Sequence, residues 1–199
     1  MKIETVQLIS DKVLSELETL LSEKLYYHGV HHTIDVVKQS LAIAKREGVK
    51  TKEDLLLLQV SALYHDSGFL VTYKEHETAS CNKARKELPF FGFSETDILS
   101  ICGMIEATRI PQRPNNLLEQ IIADADLDYL GRNDFQYISN TLQTEFISYG
   151  IVSSPLAFEE LQLRFFESHA YFTKSSQQLR GPVKKLHYEE LKKKYKLHR

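Results

Sequence analysis

The adjacent pair His65 and Asp66 is the feature of this 199-residue chain that most clearly indicates chemistry. A mostly apolar stretch over residues 55–63 leads up to the pair, so both side chains should lie at the end of a buried helix. Burying an ionisable pair costs on the order of several kcal/mol unless something compensates it. A divalent cation is the natural compensation, because imidazole and carboxylate are both good metal ligands.

Two further segments place imidazole and carboxylate groups in apolar helical surroundings. Residues 27–33 read Tyr-His-Gly-Val-His-His-Thr where a helix should begin, and residues 124–128 read Asp-Ala-Asp-Leu-Asp. Three helices packed as a bundle could bring these segments to His65 and Asp66. Two histidines with two aspartates suit Mn, Fe, Co, Ni or Zn better than Ca or Mg. Such a metal lowers the pKa of bound water and so favours hydrolysis.

The elements that must position these residues are helices. Apolar residues recur at three- and four-residue spacing through nearly the whole chain, and no strand alternation, Gly-Ser linker or internal repeat interrupts them. We therefore expect one all-α domain over residues 1–199, a compact helical bundle of about eight or nine helices. The predicted helices cover residues 3–25, 32–47, 51–67, 75–88, 94–107, 115–130, 133–149, 155–172 and 183–197.

Composition narrows the function classes. A net charge of -2 and a pI near 6.5 predict no general affinity for nucleic acid polymers. No apolar run approaches the roughly 18 residues needed to cross a bilayer, so no membrane association is expected. The first residues lack the pattern of a signal peptide, and the cysteines are only two and isolated, so we expect a cytoplasmic location. Residues 181–199 are basic, which indicates a solvated helix face or, alternatively, a docking surface.

The ordered histidine and aspartate segments resemble the HD superfamily of metal-dependent phosphohydrolases, and within it the small stand-alone HD-domain proteins. The resemblance runs from about Tyr27 to Gly131 and rests on Tyr-His-x-x-x-His-Thr, Ala-Leu-x-His-Asp-x-Gly and Asp-Ala-Asp-Leu. It implies a helical core over about residues 27–131, with C-terminal helices over 133–199. It also implies one or two divalent ions, with Mg as a further candidate. The implied metal ligands are His32, His65, Asp66 and Asp126.

The sequence lacks the signatures of two subfamilies, which reduces the number of HD subfamilies that it resembles. The segment after the doublet, residues 67–71, lacks the acidic pair of the alarmone hydrolases, and the Gly-Tyr-Pro signature of the cyclic-di-GMP group does not occur. The remaining similarity is to the small stand-alone branch of the superfamily, which includes nucleotide pyrophosphohydrolases and is related to cyclic-nucleotide phosphodiesterases. It implies a small-molecule substrate, a nucleotide or a related phosphate ester.

Two more histidines are candidates for the reaction. His28 shares the Tyr-His-x-x-x-His spacing of the phosphodiesterases, in which the earlier histidine donates a proton; it could equally orient a ligand or cap the helix. His76 lies in a His-Glu element about ten residues past the doublet. It is a candidate catalytic acid beside Asp66, a ligand of a second metal, or a surface histidine at a helix start.

The remaining candidates are basic or acidic side chains. Lys74 is grouped with His76 and Asp66 as a catalytic candidate, and Arg109 and Arg132 are candidate substrate-binding residues, because cationic side chains bind phosphate. Each could instead be a surface charge. Asp126 is preferred over the aspartates two residues away on either side, which on a helix point nearly opposite to it and would form a salt bridge or face solvent. His31 is expected to be exposed.

The sequence thus predicts a metal-dependent phosphohydrolase that uses a metal-activated water. One alternative is a catalytically silent module that binds metal or nucleotide for regulation. Another is an oxygenase with a di-iron site, which His76 would allow as an extra ligand. The substrate, the phosphate bond, the metal and the role of the basic tail stay open, and a homo-oligomer is compatible with the sequence.

Overall fold

The computed structural model describes residues 2–198, and side chains from residue 5 to residue 197. Over that range it is all-helical and contains no strand, which confirms the predicted all-α class. Three short 3-10 turns lie at Ser67–Leu70, Leu88–Phe91 and Asp128–Gly131. The ten α-helices of this range are α1 Lys2–Leu20, α2 Val30–Arg46, α3 Lys52–Tyr64, α4 His76–Glu87, α5 Glu95–Glu106, α6 Leu117–Asp126, α7 Phe135–Ser148, α8 Pro155–Ser168, α9 Lys174–Leu179 and α10 Gly181–His198.

The described residues form ten α-helices, one more than the eight or nine that the sequence predicts. The additional element is α9, whose sequence Lys-Ser-Ser-Gln-Gln-Leu has no apolar periodicity to reveal it. Its start is set by the Thr173 hydroxyl, which accepts a hydrogen bond from the Ser176 N–H. A capped polar turn of this kind escapes a search based on apolar spacing.

Hydroxyl caps also begin the helices that the sequence did predict. The Thr51 hydroxyl accepts a hydrogen bond from the Asp54 N–H at 3.3 Å, so Thr51 is the predicted N-cap of α3. At α5, Ser94 and Asp97 form a reciprocal capping box with bonds of 3.0 and 3.2 Å. Such caps satisfy amide donors that have no partner inside the helix.

The chain divides into two compact units. Unit 1 comprises the described residues up to Ser22 together with His28–Asp126, and unit 2 comprises Glu23–Tyr27 with the described residues from Leu127 onward. The boundary at Asp126 falls near residue 131, where the predicted motif-bearing core ends. The prediction of a single domain over 1–199 stays a prediction.

Unit 1 is built around α3. This helix packs against α1, α2 and α5, while α6 packs against α2 and α4 packs against α5. The core is apolar, and residues from five of these helices are no more than 1% exposed: Ile9, Val36, Leu58, Ile101 and Ile121. Burial of these apolar side chains is the main force that fixes the ends of α2, α3 and α6.

Unit 2 has its own core. Helix α10 packs against α8, α9 and the 3-10 turn at Asp128–Gly131, and Leu130, Phe135 and Phe166 are buried between them. A Cβ added to Gly131 would lie 2.5 Å from the backbone oxygen of Arg180, so this close approach requires glycine.

Among the described residues, no helix combines the length and the apolar character that crossing a membrane requires.

Candidate metal centre

His65 and Asp66 follow the last residue of α3, where the chain turns into the 3-10 segment Ser67–Leu70. The His65 ring is fully buried, and its Nδ1 lies 2.8 Å from the carbonyl oxygen of Ala62. The Nδ1–H donates to that carbonyl. This bond fixes the ring orientation and turns Nε2 toward the Asp66 carboxylate, 3.2 Å away.

The turn after the doublet is pinned to α4. The Ser80 hydroxyl donates to the carbonyl oxygen of His65 at 2.7 Å and accepts the Gly68 N–H at 2.8 Å. A Cβ on Gly68 would come within 1.9 Å of the carbonyl oxygen of His76. Glycine is therefore needed for α4, which begins at His76, to approach the doublet.

His32 comes from the first turn of α2 and is 6% exposed. Its Nε2 lies 3.3 Å from Nε2 of His65 and 3.4 Å from Oδ2 of Asp66. His31, its neighbour in the chain, is exposed, as predicted. The structure therefore brings the predicted first histidine, and not the one beside it, to the doublet.

Asp126 is the last residue of α6. Its Oδ1 lies 3.1 Å from Nε2 of His32 and 3.7 Å from Nε2 of His65. Asp124 is fully buried and does not face solvent, whereas Asp128 forms the predicted alternative, a salt bridge, with Arg180 at 2.8 Å. Asp126 thus lies close to both histidines.

The donor set fits a divalent ion. Ligand atoms of His32, His65 and Asp66 all lie within 4.8 Å of one another, and Asp126 contacts both histidines. Oδ2 of Asp66 is buried and accepts no hydrogen bond, because the nearby imidazole Nε2 atoms lie outside hydrogen-bond geometry. A buried carboxylate oxygen without a donor is costly, and a cation would satisfy it.

Electrostatic interactions within the cluster favour the charged forms of His65, Asp66 and Asp126. Burial alone would lower the pKa of His65, but the Asp66 carboxylate beside it raises that pKa well above its usual value. Burial would likewise raise the pKa of both aspartates. Instead, the His65 charge holds the pKa of Asp66 well below its usual value, and the hydrogen bond from His32, together with the nearby His65 imidazole, holds the pKa of Asp126 at about 2. Both carboxylates therefore stay ionised at neutral pH and available to a cation.

His76 lies beside the cluster. Its Nε2 is 3.4 Å from Oδ1 of Asp66, the carboxylate oxygen that does not face His32 and His65, and 3.7 Å from Oε1 of Glu77. Glu77 is only 7% exposed. Because helix α4 starts at His76, the approach of α4 to the Gly68 turn places this imidazole at Asp66.

Phe69 links the two additional histidines, and sequence reasoning missed it. Its ring stacks on His28 with a centroid separation of 4.3 Å and on His76 with a separation of 4.0 Å. His28 also makes an edge contact with His32 at 5.9 Å. An apolar residue three positions after the doublet was the available signal, but apolar residues in this stretch are too common to single one out.

Of the three side chains predicted to bind phosphate, the two arginines form ion pairs with acidic residues and the lysine is exposed. The Arg109 guanidinium pairs with Glu106 at 2.9 Å and with Glu77 at 3.3 Å. Arg132, in unit 2, pairs with Asp134 at 2.8 Å. Lys74 is exposed, and within the described part of the chain its side chain forms no ion pair with the four-residue cluster. The structure thus engages both arginines in ion pairs with acidic residues.

Comparisons with known proteins agree with the motif resemblance. A family model described as HD domain matches residues 29–128, about half of the chain. The crystal structure of a predicted HD superfamily hydrolase from an uncultured Thermotogales bacterium is similar, with a TM-score of 0.60 and 20% sequence identity over 92% of this chain and 89% of that one. At this identity the likeness supports the fold alone. No curated protein matches the chain.

Proposed function

The chain belongs to the HD-domain family. From this membership, from the cluster of His32, His65 and Asp66, and from the contact of Asp126 with both histidines, we propose that it is a metal-dependent phosphohydrolase. One observation carries the proposal. The buried Oδ2 of Asp66 has no hydrogen-bond donor and faces two imidazole Nε2 atoms, an arrangement that a divalent cation would satisfy.

The four side chains that would hold the ion are His32, His65, Asp66 and Asp126. A divalent ion held there would supply a hydroxide nucleophile near neutral pH and would neutralise charge on a phosphoryl oxygen. The bond from His65 to the Ala62 carbonyl keeps its Nε2 directed inward. The ionised carboxylates offer the negative charge that binds the ion. The nitrogen and oxygen donors favour Mn, Fe, Co, Ni or Zn.

His76 is the residue we assign to proton transfer. Its imidazole lies next to Asp66 without being part of the tight cluster, and its side chain is 19% exposed, so a substrate can reach it. A proton held at Nε2 could pass to the leaving oxygen, the usual role of a general acid. Phe69 holds the ring by stacking.

We further propose a nucleotide or related phosphate ester as the substrate. The support is the motif resemblance to small nucleotide hydrolases and the charge-neutralising chemistry of the site. Arg109 contributes less to this proposal than expected, because Glu77 and Glu106 already pair with it. The two buried free cysteines agree with a cytoplasmic location for such an enzyme.

A substrate panel tests the proposal. The purified chain is incubated with Mn²⁺ and a set of nucleoside mono-, di- and triphosphates, cyclic nucleotides and simple phosphate esters. Release of phosphate, pyrophosphate and nucleoside is then measured separately. We expect metal-dependent hydrolysis of at least one member, and a loss of at least 100-fold in Asp66→Ala. Asp11→Ala, which removes an exposed carboxylate from α1, is the matched control and should keep full activity.

The alternatives give different results in the same assay. Tight metal binding without turnover on any phosphate ester would favour a silent binding module. Bound iron with oxygen consumption would favour the oxygenase. Full activity in Asp66→Ala would exclude the metal-centred mechanism.

A further inference from the structure

Unit 2 contains a cavity of about 380 Å³ at the carboxyl end of α8 and the start of α10. We call it the unit 2 cavity. Its apolar wall includes Phe166 and Tyr171, which are 4% and 5% exposed, together with Tyr188. Its charged wall residues within the described chain are the lysines Lys184 and Lys185, and no carboxylate lines it. The volume lies in the range that takes small organic ligands.

Lys184 is a half-buried ammonium without a carboxylate partner among the residues the structure describes. Its Nζ donates to the carbonyl oxygen of Phe166 at 2.9 Å and to that of His169, and it lies 5.5 Å from the centre of the Phe166 ring. These contacts cap the end of α8 and use two of the three N–H donors. Burial lowers the pKa of Lys184, and no opposite charge offsets this.

The helix that carries both wall lysines, α10, lies in a basic segment of the chain. Residues 181–199 carry six lysines and one arginine against two glutamates. Glu167 is not a wall residue; its carboxylate accepts a hydrogen bond from the Tyr188 hydroxyl and forms no ion pair with Lys184. The basic segment, for which the sequence indicated a solvated face or a docking surface, thus also supplies one wall of a cavity.

We propose that the unit 2 cavity binds a small organic anion, in which a carboxylate or phosphate group pairs with Lys184 and Lys185 and a flat apolar body lies against the aromatic wall. The anion supplies the counter-charge that the Lys184 ammonium lacks and accepts its third N–H. Aromatic rings pack on such walls with favourable offset or edge contacts. This site is independent of the proposed phosphohydrolase function.

Benzoate, benzamide and phenyl phosphate are suitable probes, because benzoate and benzamide have nearly the same shape and differ in charge. Each is titrated into the full chain with EDTA present, and backbone amide shifts are followed by NMR. We expect saturable shifts for the amides of Tyr171, Gln177 and Tyr188 with benzoate and phenyl phosphate, and at least tenfold weaker binding of benzamide. If benzoate binds more tightly than phenyl phosphate, the preferred acid group is a carboxylate; the reverse order identifies a phosphate.

Charge-matched variants separate a site from general attraction. Lys185→Gln should weaken benzoate binding three- to tenfold, whereas Lys193→Gln, which removes an exposed charge from the same helix outside the cavity wall, should leave it unchanged. Lys184→Met should abolish binding; if that variant does not fold, Lys185→Gln carries the test. Equal losses in Lys185→Gln and Lys193→Gln, equal binding of benzamide, or no saturable shift at the wall amides would each overturn the proposal.

Discussion

The candidate metal centre depends at the residue scale on how the backbone aims each side chain. His65 and Asp66 are consecutive, yet their side chains face the same space. This is possible because α3 ends at Tyr64 and the chain turns immediately afterwards. The bond from His65 to Ala62 and the two bonds of Ser80 hold that turn. The ligand geometry is therefore set by backbone contacts that do not themselves touch a metal.

Gly68 gives a direct test of this turn. In Gly68→Ala, the new Cβ would meet the backbone oxygen of His76, which cannot rotate away as a side chain can. We expect a loss of about 2–3 kcal/mol or more in the free energy of unfolding, measured by urea denaturation. Gly181→Ala is the control, because nothing lies within 4 Å of its added Cβ. Equal stability of the two variants would show that α4 does not pack against the doublet in this way.

The sequence predicts His32 rather than His31 from its position in the motif, and Asp126 rather than its neighbours from helical geometry; their roles as metal ligands stay predictions. The structure places Nε2 of His32 3.3 Å from Nε2 of His65 and 3.1 Å from Oδ1 of Asp126. The ion pair between Arg109 and Glu77 could not be foreseen. It joins residues 32 positions apart, and nothing local in either segment indicates that a buried carboxylate would pair with that guanidinium.

Three helices of unit 1 are joined at the element scale by a cluster of ionic groups. Lys12 and Glu16 on α1, Lys83 and Glu87 on α4, and the Tyr64 hydroxyl at the end of α3 form it. The Tyr64 hydroxyl donates to Glu87 at 2.8 Å. Because Tyr64 directly precedes the doublet, the cluster ties the end of α3 to two neighbouring helices.

This cluster predicts acid sensitivity. Burial alone would raise the pKa values of Glu16 and Glu87, but hydrogen bonds from Lys12 and Lys83 hold both below the usual 4.5. Their stabilisation is therefore complete above about pH 4.5 and is lost as pH falls through the lower folded pKa values. We expect the melting temperature to fall steeply between about pH 4.5 and 3, measured by circular dichroism.

Removing one carboxylate isolates this effect. Glu87→Gln should cost about 1 kcal/mol at pH 7 and make the acid transition shallower. Glu18→Gln, an exposed change on α1, should alter neither. If Glu87→Gln kept the full acid sensitivity, the charge cluster would not be its source.

Helix existence was more predictable than helix ends. The caps at Thr51 and Ser94 were readable because a side chain and its own next turn satisfy each other. The predicted helix over 115–130 ends instead at Asp126 and resumes as a 3-10 turn. That break lies at the boundary of the two units, and long-range packing rather than local propensity sets such an end.

At the scale of the whole molecule, all four proposed metal ligands lie in unit 1. They come from α2, the end of α3 and the end of α6, so a bound ion would join three helices that are distant in the sequence. A ligand that binds only the folded state stabilises it by mass action. The basic α10 and the unit 2 cavity belong to the other unit and contribute nothing to this ligand set.

Metal addition should therefore raise the stability of the chain. At a free Mn²⁺ concentration about 100 times its dissociation constant, we expect about 2.7 kcal/mol of stabilisation and a rise in melting temperature of about 5–10 °C. EDTA should reverse the rise. Asp66→Ala should show almost no rise, and a shift as large as that of the unaltered chain would place the stabilising ion elsewhere.

Anomalous diffraction from crystals grown with Mn²⁺ shows directly whether His32, His65, Asp66 and Asp126 hold a divalent ion. We expect an anomalous peak in contact with these four side chains and no such peak in Asp66→Ala. A peak at other residues with none in this cluster, or the same peak in Asp66→Ala, would contradict this expectation.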